Sequence, residues 1–211
     1  MKDQPQLSSP LAQFISWMQI HVPEVKFLPP ATQAAIVNFI KKSGQEIPED
    51  LHQTLLTIDG ESLSSAGAIG NWRLMSIAEI QAAWGWLTRL AEKGAFAEQK
   101  PKTSPYIRPL WWHAGWIPIV SSDTGDYFCV DTDPLEPSRQ GQVLLFIHNQ
   151  PERILIAGSL PAWFDRIVRD LKAGIYHYTQ DVGFNIEAFM WSALEGKHYF
   201  DGGEGKLVVR Q

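Results

Sequence analysis

The sequence predicts an α+β fold, a mainly antiparallel sheet with helices packed against it, on three observations. Apolar residues recur at helical spacing between Leu11 and Ala91. Four runs rich in β-branched and aromatic residues then follow one another between Trp116 and Ala157, separated by Gly, Pro, Asn and Asp. A strongly amphipathic segment from Leu160 to Leu171 closes the pattern.

The helices are read in order from their apolar faces and their stops. Leu11, Phe14, Ile15 and Met18 form one face that ends before Pro23, where a helix would lose a donor and meet the proline ring. Ile36, Val37 and Ile40 form a second, with Gly44 as its stop. At Ile47-Pro48-Glu49-Asp50-Leu51 proline suits a first helical turn and the two acids suit the positive end of the helix dipole; Leu51, Leu55 and Ile58 share a face and Gly60 ends it. Ser76-Ile77-Ala78-Glu79 reads as a capping box opening a helix with the stripe Ile77, Ile80, Trp84, Leu87 and Ala91, which stops at Gly94.

From Ala95 to Pro109 the chain is polar and punctuated by Pro101, Pro105 and Pro109, an irregular crossing between the helical half and the strands. The strands are expected at Trp116 to Val120, Tyr127 to Thr132, Gln142 to His148 and Arg153 to Ala157. In the third, Val143, Leu145 and Ile147 alternate with Leu144 and Phe146, so both faces are apolar and the strand is central, with helices as the available cover. Leu160, Trp163, Phe164, Ile167, Val168 and Leu171 build the last regular helix, with Ser159 as cap and Gly174 as stop. Beyond it lie a short helical stretch around Ile186 to Leu194, a glycine-rich turn at Gly202, Gly203 and Gly205, and Leu207-Val208-Val209 as a further edge strand.

Composition narrows the function classes. With 45% hydrophobic and 19% charged residues the chain is of ordinary globular type, and its nine tryptophans are the exception. A net charge of −5 argues against nucleic acid, whose binding needs clustered Lys and Arg, and favours a basic partner. No stretch nears the ~18 apolar residues of a membrane span, and Met1 to Gln6 lacks the apolar run of a signal peptide, so a cytoplasmic protein without membrane contact is expected. The single Cys129 allows no internal disulfide, which agrees with that compartment.

No catalytic, cofactor or metal site is read. The acids Asp123, Asp126, Asp131 and Asp133 miss the spacing of an EF-hand loop and suit a hairpin whose Asp side chains satisfy turn amides. None of His21, His52, His113, His148, His177 and His198 stands in an H-x-x-x-H arrangement. Cys129, between Phe128 and Val130, reads as a small buried hydrophobe rather than a nucleophile. Among the tryptophans, Trp84 and Trp163 lie on apolar helix faces. Trp111 and Trp112 stand outside any periodicity and are open to two readings, core or exposed anchor.

The order of motifs from Phe27 to Gly174 resembles the SUKH superfamily, named in part for fungal regulators of cell-wall glucan synthesis and killer-toxin resistance. The resemblance rests on Leu28-Pro29-Pro30-Ala31, Gly44 to Leu51, Asp59-Gly60 and Leu74-Met75-Ser76, and most specifically on Trp116-Ile117-Pro118-Ile119, Gly125 to Pro134, Gly141-Gln142-Val143, His148 and Ser159 to Phe164. It departs at Ile47 and Thr132, where the family more often has Leu. The chain is read as one domain of residues 1–174, N-terminal helix included, with residues 175–211 as an extension that packs on the same domain and lies outside the shared pattern. The resemblance implies a non-enzymatic binding role: bacterial relatives look like immunity proteins that neutralise toxins, and fungal ones like scaffolds in cell-wall signalling. The expectation is therefore an immunity protein that binds a protein partner, such as a basic toxin, through Trp111, Trp112, Asp123, Asp126, Asp131 and Asp133. Regulation or scaffolding of cell-wall synthesis, and carbohydrate binding through stacked tryptophans, are the alternatives. The oligomeric state is left open.

Overall fold

The computed structural model describes residues 9–175 in full apart from Asn71 and Asp123, and beyond them only the backbone of four short strands. The main body holds five helices: α1 (Pro10–His21), α2 (Gln33–Ser43), α3 (Glu49–Thr57), α4 (Ile77–Glu92) and α5 (Leu160–Lys172). Its strands are β1 (Arg73–Leu74), β2 (Lys102–Thr103), β3 (Trp116–Ser121), β4 (Tyr127–Asp131), β5 (Gln142–Phe146) and β6 (Glu152–Ala157). They form one sheet in the order β1-β3-β4-β5-β6-β2. Every pairing is antiparallel except that of β2 with β6. The fold is α+β, as the sequence predicts.

Helix starts follow their caps. The side chains of Ser9, Thr32 and Ser159 each accept a backbone N–H at the opening of α1, α2 and α5. At α4 the capping box is complete, Ser76 accepting from Glu79 N while Glu79 accepts from Ser76 N at 2.8 Å. A further carboxylate joins it, for Asp59 Oδ1 accepts from Ile77 N at 2.7 Å. Gly60 beside it has φ +73, and a Cβ there would collide with the Met75 backbone, so the Asp59-Gly60 step permits this close approach and no other residue does. Pro48 differs slightly from expectation, standing at the N-cap of α3 rather than inside its first turn.

Alternation along the strands makes two apolar layers. On one face Phe128, Val130, Val143, Leu145 and Ile156 share a core with side chains of all five helices, with Trp163 stacked on Phe128 at 4.9 Å between centroids. The other face carries Trp116, Cys129, Leu144 and Phe146. The expectation that helices cover both faces needs correction here. Among the described residues α4 brings Trp84, Leu87 and Ala91 to this second layer, and the chain between α4 and β3 supplies the rest of the cover through Phe96, Ile107, Trp111 and Trp112. β1 and β2 carry no strand signature in the sequence, because two residues are too few to show alternation.

Past α5, Tyr178–Thr179 pairs with Gly183–Phe184, and His198–Phe200 with Leu207–Val209, both antiparallel. Leu207 to Val209 thus forms a separate two-stranded ribbon instead of extending the main sheet. The expected helix around Ile186 to Leu194 and the glycine turn at 202–205 lie outside the described residues.

Candidate partner-binding surface

The site is built on a row of three residues that face one another across β3, β4 and β5: Trp116 opposite Asp131, and Asp131 opposite Gln142. All three are sealed from solvent. Asp131 Oδ2 accepts from Gln142 Nε2 at 2.9 Å and Oδ1 from Asp133 N at 3.1 Å. Burial outweighs these bonds and raises the Asp131 carboxyl to about 6. The Asp131 carbonyl accepts from Gly141 N at 2.8 Å, which draws the two ends of the loop 132–141 together. Thr132 locks its start, donating through N to the Gly115 carbonyl, with Oγ1 within hydrogen-bond distance of that carbonyl and of Gln45 Oε1.

A buried guanidinium holds the crossing segment against the sheet. Arg153 of β6 donates to the carbonyls of Trp111 (3.0 and 2.9 Å), Gln150 (2.7 Å) and Glu152 (2.8 Å). Its guanidinium carbon stands 4.6 Å from the Trp111 ring centroid and 4.4 Å from that of Phe146. Burial pulls Arg153 down to about 10, so it stays charged at neutral pH. Trp112, the next residue, turns inward, where Nε1 donates to Thr88 Oγ1 at 3.2 Å and the ring meets Trp116 and Phe146 edge-on. Trp84 Nε1 donates to the Ala114 carbonyl at 2.7 Å.

On this frame two connecting segments, 104–111 and 132–140, the second with a 3-10 turn at Pro137–Arg139, are fastened side by side. Leu135 N donates to the Tyr106 carbonyl at 3.2 Å. Arg108 donates to the Asp133 carbonyl at 2.8 Å and to Asp133 Oδ1 at 2.7 Å. The Arg139 guanidinium lies 3.5 Å over the Tyr106 ring. Leu110 and Leu135 project from these segments, 43% and 47% exposed. His113 Nε2 approaches Asp133 Oδ2 at 3.6 Å; burial lowers the His113 pKa more than the acid raises it, so the ring is neutral at pH 7 and this contact is not an ion pair there. The surface is thus apolar at its projections, bordered by Arg, Tyr and Asp, and fastened by its own hydrogen bonds, a composition suited to interface anchors.

The residues singled out by sequence divide accordingly. Trp111, half-buried, and Asp133, exposed, belong to this surface. Trp112 and Asp131 are interior, Trp112 because its ring fills the second layer and Asp131 because it closes the loop. Neither can touch a partner without opening the fold. Asp126 stands at the opposite end of β4, about 16 Å away by strand rise, where Oδ1 accepts from His148 N and shares 2.7 Å with His148 Nδ1. Asp123 lies outside the described residues. Tyr106, Arg108, Leu110, Leu135 and Arg139 escaped the sequence reading because irregular segments have no period; the interleaving of Tyr, Arg and Leu in a proline-rich stretch was the available signal. Among the described residues no three His, Cys, Asp or Glu side chains converge to hold a metal ion. Cys129 is buried, and desolvation pushes its thiol well above the ordinary range.

Comparison with known proteins matches the chain to a family. The model of the SMI1 / KNR4 family (SUKH-1) matches residues 30–166. The cell wall assembly regulator SMI1 of Saccharomyces cerevisiae is 24% identical over 113 residues, 54% of this chain and 19% of that protein. The cell wall biosynthesis/cell cycle regulator smi1 of Schizosaccharomyces pombe is 23% identical over 149 residues, 64% of this chain and 30% of that protein. A KNR4/SMI1 homolog 2 of Debaryomyces hansenii is 28% identical over 85 residues, 40% and 14% of the two chains. The chain spans less than a third of the length of these relatives.

Proposed function

The chain belongs to the SMI1 / KNR4 family (SUKH-1), and from that premise we propose that it works as a non-enzymatic, protein-binding regulatory domain in cell-wall synthesis. The observation that carries the binding reading is the division of labour around Asp131. Motif residues such as Trp116, Asp131 and Gln142 are consumed inside the fold, and what they hold in place is the exposed pair of segments bearing Leu110, Leu135, Arg108 and Arg139. The relatives of Saccharomyces cerevisiae and Schizosaccharomyces pombe support the regulatory half, since both are described as regulators of cell wall assembly or biosynthesis. That shifts the reading away from toxin neutralisation, the first expectation from sequence.

The test replaces Leu135 by Asp in cells that make the protein. Hypersensitivity to a wall-binding dye and to a wall-lytic enzyme, equal to that of a deletion strain, is the expected result. A deletion with normal wall resistance but new sensitivity to a co-encoded toxin would restore the immunity reading and overturn this one.

A further inference from the structure

The side-chain amide of Gln142 touches both the buried acid and the candidate surface. Its Nε2 donates to Asp131 Oδ2 at 2.9 Å and to the Tyr106 carbonyl at 3.2 Å, so one NH2 group spans from β4 to the segment 104–111. The same Tyr106 carbonyl accepts from Leu135 N at 3.2 Å, which ties the segment 132–140 to that point. A carbonyl only accepts, so the NH2 end of the amide is the end that faces Tyr106. The other end, Oε1, is then buried with no hydrogen-bond donor among the described residues, against the rule that buried acceptors are paired.

This arrangement suits Asp131 only while it carries its charge. Both carboxylate oxygens are met by N–H groups, Oδ1 by Asp133 N and Oδ2 by Gln142 Nε2. A carboxylic acid has a proton to donate, and on either oxygen that proton points at a donor. The acceptor within reach is the orphaned Gln142 Oε1, which takes the place of Nε2 beside the acid when the amide turns over. The same turn sets Oε1 against the Tyr106 carbonyl, oxygen against oxygen, where a hydrogen bond stood. Protonation therefore satisfies Asp131 and Gln142 together and breaks the tie to Tyr106.

We propose that Asp131 and Gln142 form a proton-operated clamp on the candidate surface: with the acid ionised the Gln142 amide holds Tyr106, and with the acid protonated the amide turns and releases it. Burial raises the Asp131 carboxyl to about 6, so the clamp is closed near neutral pH and opens in mild acid. Four ionisable groups surround it. The charge of Asp133 raises the Asp131 pKa and that of Arg108 lowers it. His113 stands 3.6 Å from Asp133, its own pKa lowered by burial, and the Cys129 thiol on the same strand is kept neutral by burial. Farther along the loop Arg139 pairs with Glu136. The clamp rests on the regulatory reading above only for its output, since what it loosens is the surface assigned there to the partner.

An NMR pH titration of the full-length, ¹³C,¹⁵N-labelled chain tests the clamp with no partner present. The Asp131 Cγ resonance should move with a midpoint of about 6, and the Tyr106 and Leu135 amide resonances should follow the same midpoint. Protection of the Leu135 N–H from hydrogen exchange should fall roughly tenfold from neutral to mildly acid pH, the worth of one net hydrogen bond. Asp131→Asn, whose side chain donates at every pH, should lack the transition and show low Leu135 protection throughout. In Gln142→Met the acid should still titrate while Tyr106 and Leu135 no longer follow it. Circular dichroism reports whether each variant is folded, and the wild-type titration decides by itself if one is not. An Asp131 carboxyl that titrates in the ordinary carboxylate range, or wild-type Tyr106 and Leu135 signals that do not move with it, overturns the proposal. So does a transition that survives in Asp131→Asn, which would belong to His113. A clamp that titrates as described, in a chain whose Leu135→Asp variant keeps normal wall resistance, would overturn the regulatory reading and leave the clamp standing.

Discussion

The Asp131 carboxylate of β4 accepts a 2.9 Å hydrogen bond from the Gln142 amide of β5, and both side chains are shut off from water. The carboxyl titrates at about 6 in the folded protein against an ordinary 3.8. A folded pKa above the unfolded one means that the native state favours the proton. The contribution of this group to stability is full below about pH 4, declines as pH rises through 6, and is flat above. Asp131→Asn has no such decline. Urea unfolding at pH 4.5 and 7.5 should show the variant gaining on wild type with rising pH, by on the order of 2 kcal/mol. An unchanged difference between the two pH values would show that Asp131 keeps its charge in the fold.

Arg153 ties Trp111 to β6 by hydrogen bonds from two of its nitrogens to one carbonyl and adds bonds to the carbonyls of Gln150 and Glu152. Arg153→Met leaves those carbonyls unsatisfied and should destabilise by roughly 3 kcal/mol. Arg153→Lys should recover little of this, since a single ammonium cannot reproduce the planar fork. Thermal unfolding of the two variants measures it, and full rescue by lysine would refute the role assigned to the fork.

Trp111 and Trp112 should behave differently when truncated. Trp112→Ala removes a ring from the second layer and should cost about 3–5 kcal/mol of stability. Trp111→Ala loses chiefly the stacking on Arg153 and should cost less. The order is read from the denaturant midpoints of the two variants.

Leu135→Asp should leave stability within about 0.5 kcal/mol of wild type, because the side chain lies on the surface. If the 104–111 and 132–140 segments form the partner face, the same variant should weaken the complex about tenfold or more, mainly through faster dissociation. Binding kinetics on the purified partner separate this from a folding defect.

Cys129 should be silent toward Ellman's reagent in the native protein and react at the rate of unfolding, since it is buried and its thiol is held protonated. Rapid labelling without denaturant would contradict that placement.

The sequence by itself determined the regular elements. A helix cap is a contact between residues three apart, as between Ser76 and Glu79, and an apolar stripe such as Leu160 to Leu171 is a local period, so both are written in consecutive residues. The same holds for the four long strands, whose β-branched and aromatic runs need no knowledge of their neighbours. The two-residue strands β1 and β2 could not be read, since they exist only through their partners β3 and β6. Tertiary structure alone decided the site. Trp111 and Trp112 are neighbours in sequence, yet Arg153, forty-two residues from Trp111, takes hold of one while Thr88 and Phe146 enclose the other. Asp131 and Asp133 likewise part company, because Gln142 draws the first inward and Arg108 meets the second at the surface. In irregular chain a side chain's exposure is set by whichever distant group satisfies the local backbone, and that group is chosen only when the sheet closes.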